Sequence, residues 1–213
     1  MNKKLVAFDM DGTLINGRLV FALGDKFAMS DRIRKIMGKN TDGHQKSAEI
    51  AKLWKGIKAD EVTEAVRRIP IMTGASEIIG EFKKRGYVIG IISDSYTLAT
   101  DHIIKHFKMD FNIANVLEVK DGLLTGKVKM PMGWEQISCW CKNSVCKRFH
   151  LERSVRSLNI PLKNTIAIGD TRNDLCMIER AGTGIAFNPK DNKIMGNKII
   201  VKGQDLRKIM QFL

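Results

Sequence analysis

Tyrosine and tryptophan are scarce in this chain, two and three among 213 residues. So few flat rings leave no evident stacking platform for single-stranded nucleic acid. Proline is nearly as rare, at four, and no repeat or low-complexity segment is present, so no extended linker is expected. No uninterrupted apolar run is long enough to span a bilayer. Asn2-Lys3-Lys4 precedes only a short apolar stretch containing Asp9, which argues against a secretory signal and for a cytoplasmic protein. Acids are the minority charge, 23 Asp and Glu against 36 Lys and Arg, for a net +13. That balance favours anionic partners such as phosphorylated metabolites. The basic residues are spread without a dense run, so a solvated basic surface explains them better than a nucleic-acid interface.

Cysteine is limited to Cys139, Cys141, Cys146 and Cys176. A disulfide framework is not expected in a cytosolic chain of this size. The first three, with His150, could close a tetrahedral zinc site, since Cys146 and His150 share a face if they lie on one helix. The spacing is not a usual zinc one, however, and Trp140 interrupts it. Buried thiols without a metal are the reading adopted, with zinc as the alternative.

What remains is an ordinary globular composition, 44% hydrophobic, in a chain long enough to bury a sizeable core. Apolar, strand-like runs recur at 4–9, 87–93, 111–119, 165–169, 184–187 and 198–201. Helical periodicity separates several of them, at 76–85, 97–107 and about 145–158. Strands alternating with helices predict an α/β fold, a parallel sheet covered on both faces. Asp121-Gly122 between 111–120 and 123–128 predicts a tight hairpin turn. Residues 17–72 break the alternation with helical stretches at 20–37 and 45–68, interrupted by Gly24, Gly38 and Gly56. They are read as a helical lid, and the domain division is 1–16 plus 73–213 for the core and 17–72 for the cap.

The chemistry is concentrated where strands end. Leu5-Val6-Ala7-Phe8 runs into Asp9-Met10-Asp11-Gly12-Thr13-Leu14, two carboxylates one residue apart. An acidic turn is the plain alternative for this stretch taken alone. A second apolar run, Ile89-Gly90-Ile91-Ile92, ends in Ser93, and a third leads into Gly169-Asp170-Thr171-Arg172-Asn173-Asp174. Parallel strands would collect Asp9, Asp11, Ser93, Asp170 and Asp174 on one sheet edge, where ligands of such sheets bind. Carboxylates so close repel one another, and a hard cation with oxygen ligands, Mg²⁺, would relieve the repulsion.

These motifs resemble the haloacid dehalogenase superfamily, specifically its phosphoserine phosphatase-like branch. Asp9–Leu14 is similar to the first motif, Ser93 to the second, Lys147 to the third and Gly169–Asp174 to the fourth. The resemblance covers nearly the whole chain. It implies a Rossmann-like parallel core with a small inserted helical cap, and a Mg²⁺-dependent phosphoric monoester hydrolase. Asp9 would be the nucleophile and Asp11 the acid and base, with Ser93 and Lys147 completing the catalytic set. Asp9, Asp11 through its carbonyl, Asp170 and Asp174 would serve the metal, Asp174 through water or by orienting Lys147. Ser93, Asp94, Lys147, Asn173 and Arg18 would contact a small phosphorylated metabolite. The residues that anchor phosphoserine in the family align with Arg18 and Ile50, which can hold neither its ammonium nor its carboxylate. The substrate is thus left open between phosphoserine and another phosphorylated metabolite, one with a further anion reached by Arg18. Transfer of the phosphoryl group to an alcohol and a non-catalytic basic binding protein are the alternatives. Nothing in the sequence fixes the oligomeric state.

Overall fold

The computed structural model describes residues 3–191, 194 and 199–213. Its centre is β1 (Lys4–Phe8), whose four residues Leu5, Val6, Ala7 and Phe8 are fully buried. A strand buried on both faces reads as a continuous apolar run rather than an alternating one, and this strand does. Parallel neighbours flank it, β2 (Tyr87–Tyr96) on one side and β5 (Thr165–Gly169) on the other. The sheet continues outward through β3 (Phe111–Lys120) and β4 (Leu123–Lys129) at one edge, and through β6 (Thr183–Phe187) and β7 (Ile199–Val201) at the other. Only β4 runs antiparallel. It returns through Asp121 and Gly122, both with positive φ, as the tight hairpin turn requires. The first residue of the strand expected at 198–201 lies outside the described residues.

The two faces differ in bulk. Val6, Phe8, Ile166, Ile168, Ile185 and Phe187 point to one apolar cluster; the alternate residues Ala7, Ala167 and Ala186 point to the other. The first face carries α5 (Ala75–Lys84), where Phe82 meets Phe8 edge-on at 5.9 Å between ring centroids. The small side chains of the second face admit α7 (Lys147–Ser157) and α8 (Leu175–Arg180), which bring Leu151, Val155, Met177 and Ile178 onto the sheet. The last α-helix, α6 (Thr97–Phe107), connects β2 to β3.

Between β1 and β2 the chain forms α1 (Leu19–Lys26), α2 (Ser30–Met37), α3 (Gly43–Leu53) and α4 (Ala59–Arg68). The expected stretch at 20–37 is thus two helices, and that at 45–68 is two more. Gly24 corrects the sequence reading: it lies inside α1 rather than ending it. A Cβ there would stand 2.6 Å from the Ile33 side chain, so the missing side chain lets α1 and α2 approach. Ile33, Ile50, Trp54, Val62 and Val66 join the same apolar cluster as the first sheet face. Trp54 also donates its indole N–H to the Tyr96 hydroxyl at 3.0 Å, tying the end of α3 to the end of β2.

A second correction concerns β2. The sequence reading ended it at Ser93, but the strand runs on through Asp94-Ser95-Tyr96, with a register shift against β3 between Ile92 and Tyr96. The irregularity lets Ser93 and Asp94 sit at the active edge while the strand continues past them.

Two glycines test this packing. A Cβ on Gly184 would lie 2.1 Å from the Ile178 carbonyl oxygen, whereas one on Gly80, inside α5, would meet nothing within 4 Å. Gly184→Ala is expected to destabilise the fold by about 1–3 kcal/mol, and Gly80→Ala to stabilise it by about 0.5–1 kcal/mol. Urea unfolding of both variants checks the pair; equal effects would contradict the packing of α8 against β6.

Candidate active site

Register explains why the chemistry converges. Phe8 lies opposite Ile91 of β2 and Ile168 of β5. Asp9 is therefore one residue past a line that Ser93 and Asp170 pass by two. The Asp9 amide donates to the Ile168 carbonyl at 2.9 Å, fixing the first carboxylate as the strand leaves the sheet. The chain then turns tightly, with Leu14 and Ile15 N–H groups both donating to the Met10 carbonyl. Gly12 makes the turn possible: its φ is +79°, and a Cβ would lie 2.2 Å from Asp170 Oδ2. Asp11 accepts the Leu19 N–H on Oδ1 at 2.7 Å, which joins the acid pair to the start of α1.

Lys147, the first residue of α7, is 1% exposed and points into this edge. Its ammonium lies 2.7 Å from Asp9 Oδ1 and donates to Asp174 Oδ1. Asp174 spends its other oxygen on the Asp170 N–H at 3.1 Å, the Thr171 N–H at 2.9 Å and the Thr171 hydroxyl at 3.1 Å. It thereby shapes the loop after β5 and holds Lys147 in place. Gly169 is needed for this too, since a Cβ would reach within 2.3 Å of Asp174 Cγ. Lys142, the other lysine near the third motif, is instead half-exposed and faces Asp42 at 3.7 Å.

Burial pushes the Asp9 carboxyl up to about 6, against the pull of Lys147. Asp11 is also pushed up to about 6, by burial and then by the charge of Asp9. Asp170 rises furthest, to about 8, through burial and the charges of Asp9 and Asp174. Burial works against the charge on Lys147, yet Asp174, Asp9 and Asp94 together hold its pKa above the ordinary lysine value. Asp170 carries the clearest mark of a metal site: both its oxygens are buried and accept no hydrogen bond among the described residues. Carboxylate oxygens of Asp9, Asp170 and Asp174 lie within 4.8 Å of one another. An all-oxygen, carboxylate-rich set of this kind fits a hard cation such as Mg²⁺.

Above the acids opens a cavity of about 420 Å³ lined by Arg18, Ile50, Ser93, Asp94 and Asn173, among others. Ser93 is buried. Arg18 brings a guanidinium nitrogen to 4.0 Å from Asp170 Oδ2. Asp94 is more fully engaged than the sequence suggested. Its Oδ1 accepts from the Ser144 hydroxyl at 2.9 Å and the Val145 N–H at 3.0 Å, and its Oδ2 from Asn173 at 3.4 Å. It braces the walls of the cavity. Sequence reasoning missed Lys46, Ser47, Asn143 and Arg172, which also line it. Gly43, Ser47 and Ile50 recur at helical spacing on α3, a signal that Ile50 could have extended to its neighbours.

A sequence model of haloacid dehalogenase-like hydrolases matches residues 6–179, spanning both ends of this site. The chain belongs to that family. It is 32% identical to the phosphoserine phosphatase of Methanocaldococcus jannaschii over 99% of this chain and 98% of that one. The phosphoserine phosphatase of Streptococcus thermophilus is 30% identical over 99% of this chain and 96% of its own. A solved phospho-aspartyl intermediate analogue of phosphoserine phosphatase superposes with a TM-score of 0.87 at 30% identity, covering 100% of both chains. A substrate-bound phosphoserine phosphatase complex gives 0.86 at 29% identity, over 100% of this chain and 99% of that one. The α/β core and the enzyme class expected from the four motifs, a phosphoric monoester hydrolase of the haloacid dehalogenase type, are met. Among the described residues no helix is long and apolar enough to cross a membrane.

The cation fit gives a direct test. Asp170→Asn replaces a buried carboxyl that finds no hydrogen-bond partner among the described residues, so the variant is expected to melt no lower than wild type without metal. Added Mg²⁺ should raise the melting temperature of wild type and leave Asp170→Asn unmoved, with phosphatase turnover falling by about 10²-fold or more. An equal Mg²⁺ shift in both proteins would remove Asp170 from the cation site.

Proposed function

We propose that this hydrolase is a Mg²⁺-dependent phosphatase for a small phosphomonoester that carries a second anionic group and no amino group, working through an aspartyl-phosphate on Asp9. The observation that supports the chemistry is the buried Asp9–Lys147–Asp174 arrangement beside an unsatisfied Asp170. An Asp9 oxygen attacks phosphorus as the ester P–O bond breaks, and Asp11 gives its proton to the departing alkoxide. Asp11 then takes a proton from water as that water attacks phosphorus, breaking the Asp9–phosphate bond and releasing inorganic phosphate. A carboxyl raised to about 6 suits both roles, because it exchanges its proton close to neutral pH. Lys147 and Ser93 offset and orient the phosphoryl oxygens, with Asn173 assisting. Asp174 positions Lys147, and Asp94 keeps the Ser93 and Val145 segments in register. Asp9, the Asp11 carbonyl and Asp170, with Asp174 behind them, would hold Mg²⁺, which would supply charge neutralisation at the phosphoryl group. Residues 17–72 act as a cap over residues 1–16 and 73–213, excluding water as the substrate is enclosed.

The substrate reading rests on what lines the cavity. Arg18, Lys46 and Arg172 are its basic residues besides Lys147, and Ile50 places an apolar side chain among them. Asp42 faces Lys142 at 3.7 Å and Asp94 accepts from Ser144 and Val145, so neither is a free anchor for an ammonium group. Arg18 suits a carboxylate or a second phosphate, which a planar guanidinium can grip bidentately.

A phosphate-release panel with Mg²⁺ checks this. Phosphorylated acids lacking an amino group are expected to exceed phosphoserine in kcat/KM by about tenfold or more, because the phosphoserine ammonium would face the like charges of Arg18, Lys46 and Arg172. Arg18→Ala should erase most of that margin, and Asp9→Asn should release no phosphate above background. Phosphoserine as the preferred substrate would overturn the substrate assignment; phosphate release by Asp9→Asn at the wild-type rate would overturn the mechanism.

A further inference from the structure

Behind the wall that carries Lys147, four thiols meet. Cys139 and Cys141 come from the irregular segment after β4, Cys146 is the residue that caps the start of α7, and Cys176 is the second residue of α8. Their sulfur atoms all lie within 4.8 Å of one another, and no pair is joined as a disulfide. Three of the four are buried and Cys141 is half-buried. We propose that Cys139, Cys141, Cys146 and Cys176 form a tetrahedral Cys₄ site for a single zinc ion, which locks the loop behind Lys147 to the helix after Asp174.

Geometry favours one ion. Zinc–thiolate bonds of about 2.3 Å set the sulfurs of a tetrahedron about 3.8 Å apart, inside the observed bound. A four-iron cluster would spread its cysteine sulfurs more widely, because an inorganic core stands between them. The four-sulfur set differs from the zinc alternative that the sequence offered, which joined the first three cysteines to His150. That ring instead faces backbone: Nε2 sits 3.2 Å from the Met132 carbonyl, and the Pro131 carbonyl is a second partner. The fourth thiol, Cys176, lies thirty positions beyond Cys146 and comes into place only because α7 and α8 pack on the same sheet face.

The surrounding chain needs such a clamp. From residue 130 to 146 the regular structure is the three-residue turn Glu135–Ile137 and a single bridge between Met132 and Val145, and Met132, Ser138 and Lys142 hold positive φ. Non-glycine residues pay about 1 kcal/mol or more in that region, so the loop is not self-supporting. Yet it presents Ser144 and Val145 to Asp94 and Trp140 to the cavity, and it ends at Lys147. Ligation of Cys146 and Cys176 would fix the residue before Lys147 and the residue two beyond Asp174 to one point. The ion is therefore structural, held by a ligand set distinct from that of Asp9 and Asp170, although Cys141 also reaches the wall of the cavity.

Metal analysis of the full chain, purified without added metal or tag-bound nickel, tests this. About one zinc ion per chain is expected, retained by Asp170→Asn and His150→Ala but lost from Cys176→Ser and Cys141→Ser. Cobalt-loaded protein should show thiolate-to-metal charge transfer and the strong visible bands of a tetrahedral thiolate site, a readout independent of activity. Because a cysteine variant can fail to fold, the wild type carries its own check. Its four thiols should resist a thiol reagent until a chelator is added, then titrate together as the melting temperature drops. Four thiols that titrate freely in the protein as purified, before any chelator is added, would overturn the proposal. Zinc lost by His150→Ala, or by Asp170→Asn, would overturn the ligand set.

Discussion

One buried ammonium governs this molecule. Lys147 is held in the interior by Asp9 on one side and Asp174 on the other, and neither carboxylate would be tolerable there without it. The same contact links the first strand, the helix after the irregular loop and the loop after β5, three segments distant in sequence. Removing one partner from such a set leaves an uncompensated buried charge, which costs about 3–5 kcal/mol. The fold's parallel core is thus built to deliver charges of opposite sign to one edge, and the remaining excess of negative charge at Asp9, Asp170 and Asp174 is the demand that a hard cation answers.

Much of this was legible in the sequence, because parallel sheets hide their strands on both faces and so write them as apolar runs. Leu5–Phe8 and Thr165–Gly169 announce themselves this way, and the residues that end them are the chemical ones. Lys147 was legible through motif order, and the structure places it between Asp9 and Asp174. The failures have physical causes. The strand that was expected to stop at Ser93 continues to Tyr96 because a register shift, invisible to periodicity, absorbs the polar residues. Gly24 was read as a break, whereas its lack of a side chain serves a helix–helix contact. Arg172 and Asn143 reach the cavity from turns whose direction no local pattern specifies.

The substrate end of the cavity and the thiol cluster show a further limit of the same kind. Which cysteine completes a four-sulfur set depends on how α7 and α8 meet over the alanines of the sheet, a tertiary fact. His150 had the better local spacing and the wrong orientation. In both places the sheet fixes the chemistry and the connecting segments tune it: in the proposed reaction Asp9 and Asp11 act on phosphorus, while Arg18, Lys46 and Ile50 select what is attached to it.

Everything rests on Asp9 as the atom that receives the phosphoryl group. Acid-quenched turnover followed by peptide mass spectrometry tests it most directly. The account predicts one phosphoryl group on the peptide containing Asp9, enriched when Asp11 is replaced by Asn and water attack is slowed. Phosphoryl label on any other side chain would contradict it, as would undiminished phosphate release from a protein in which Asp9 has become Asn.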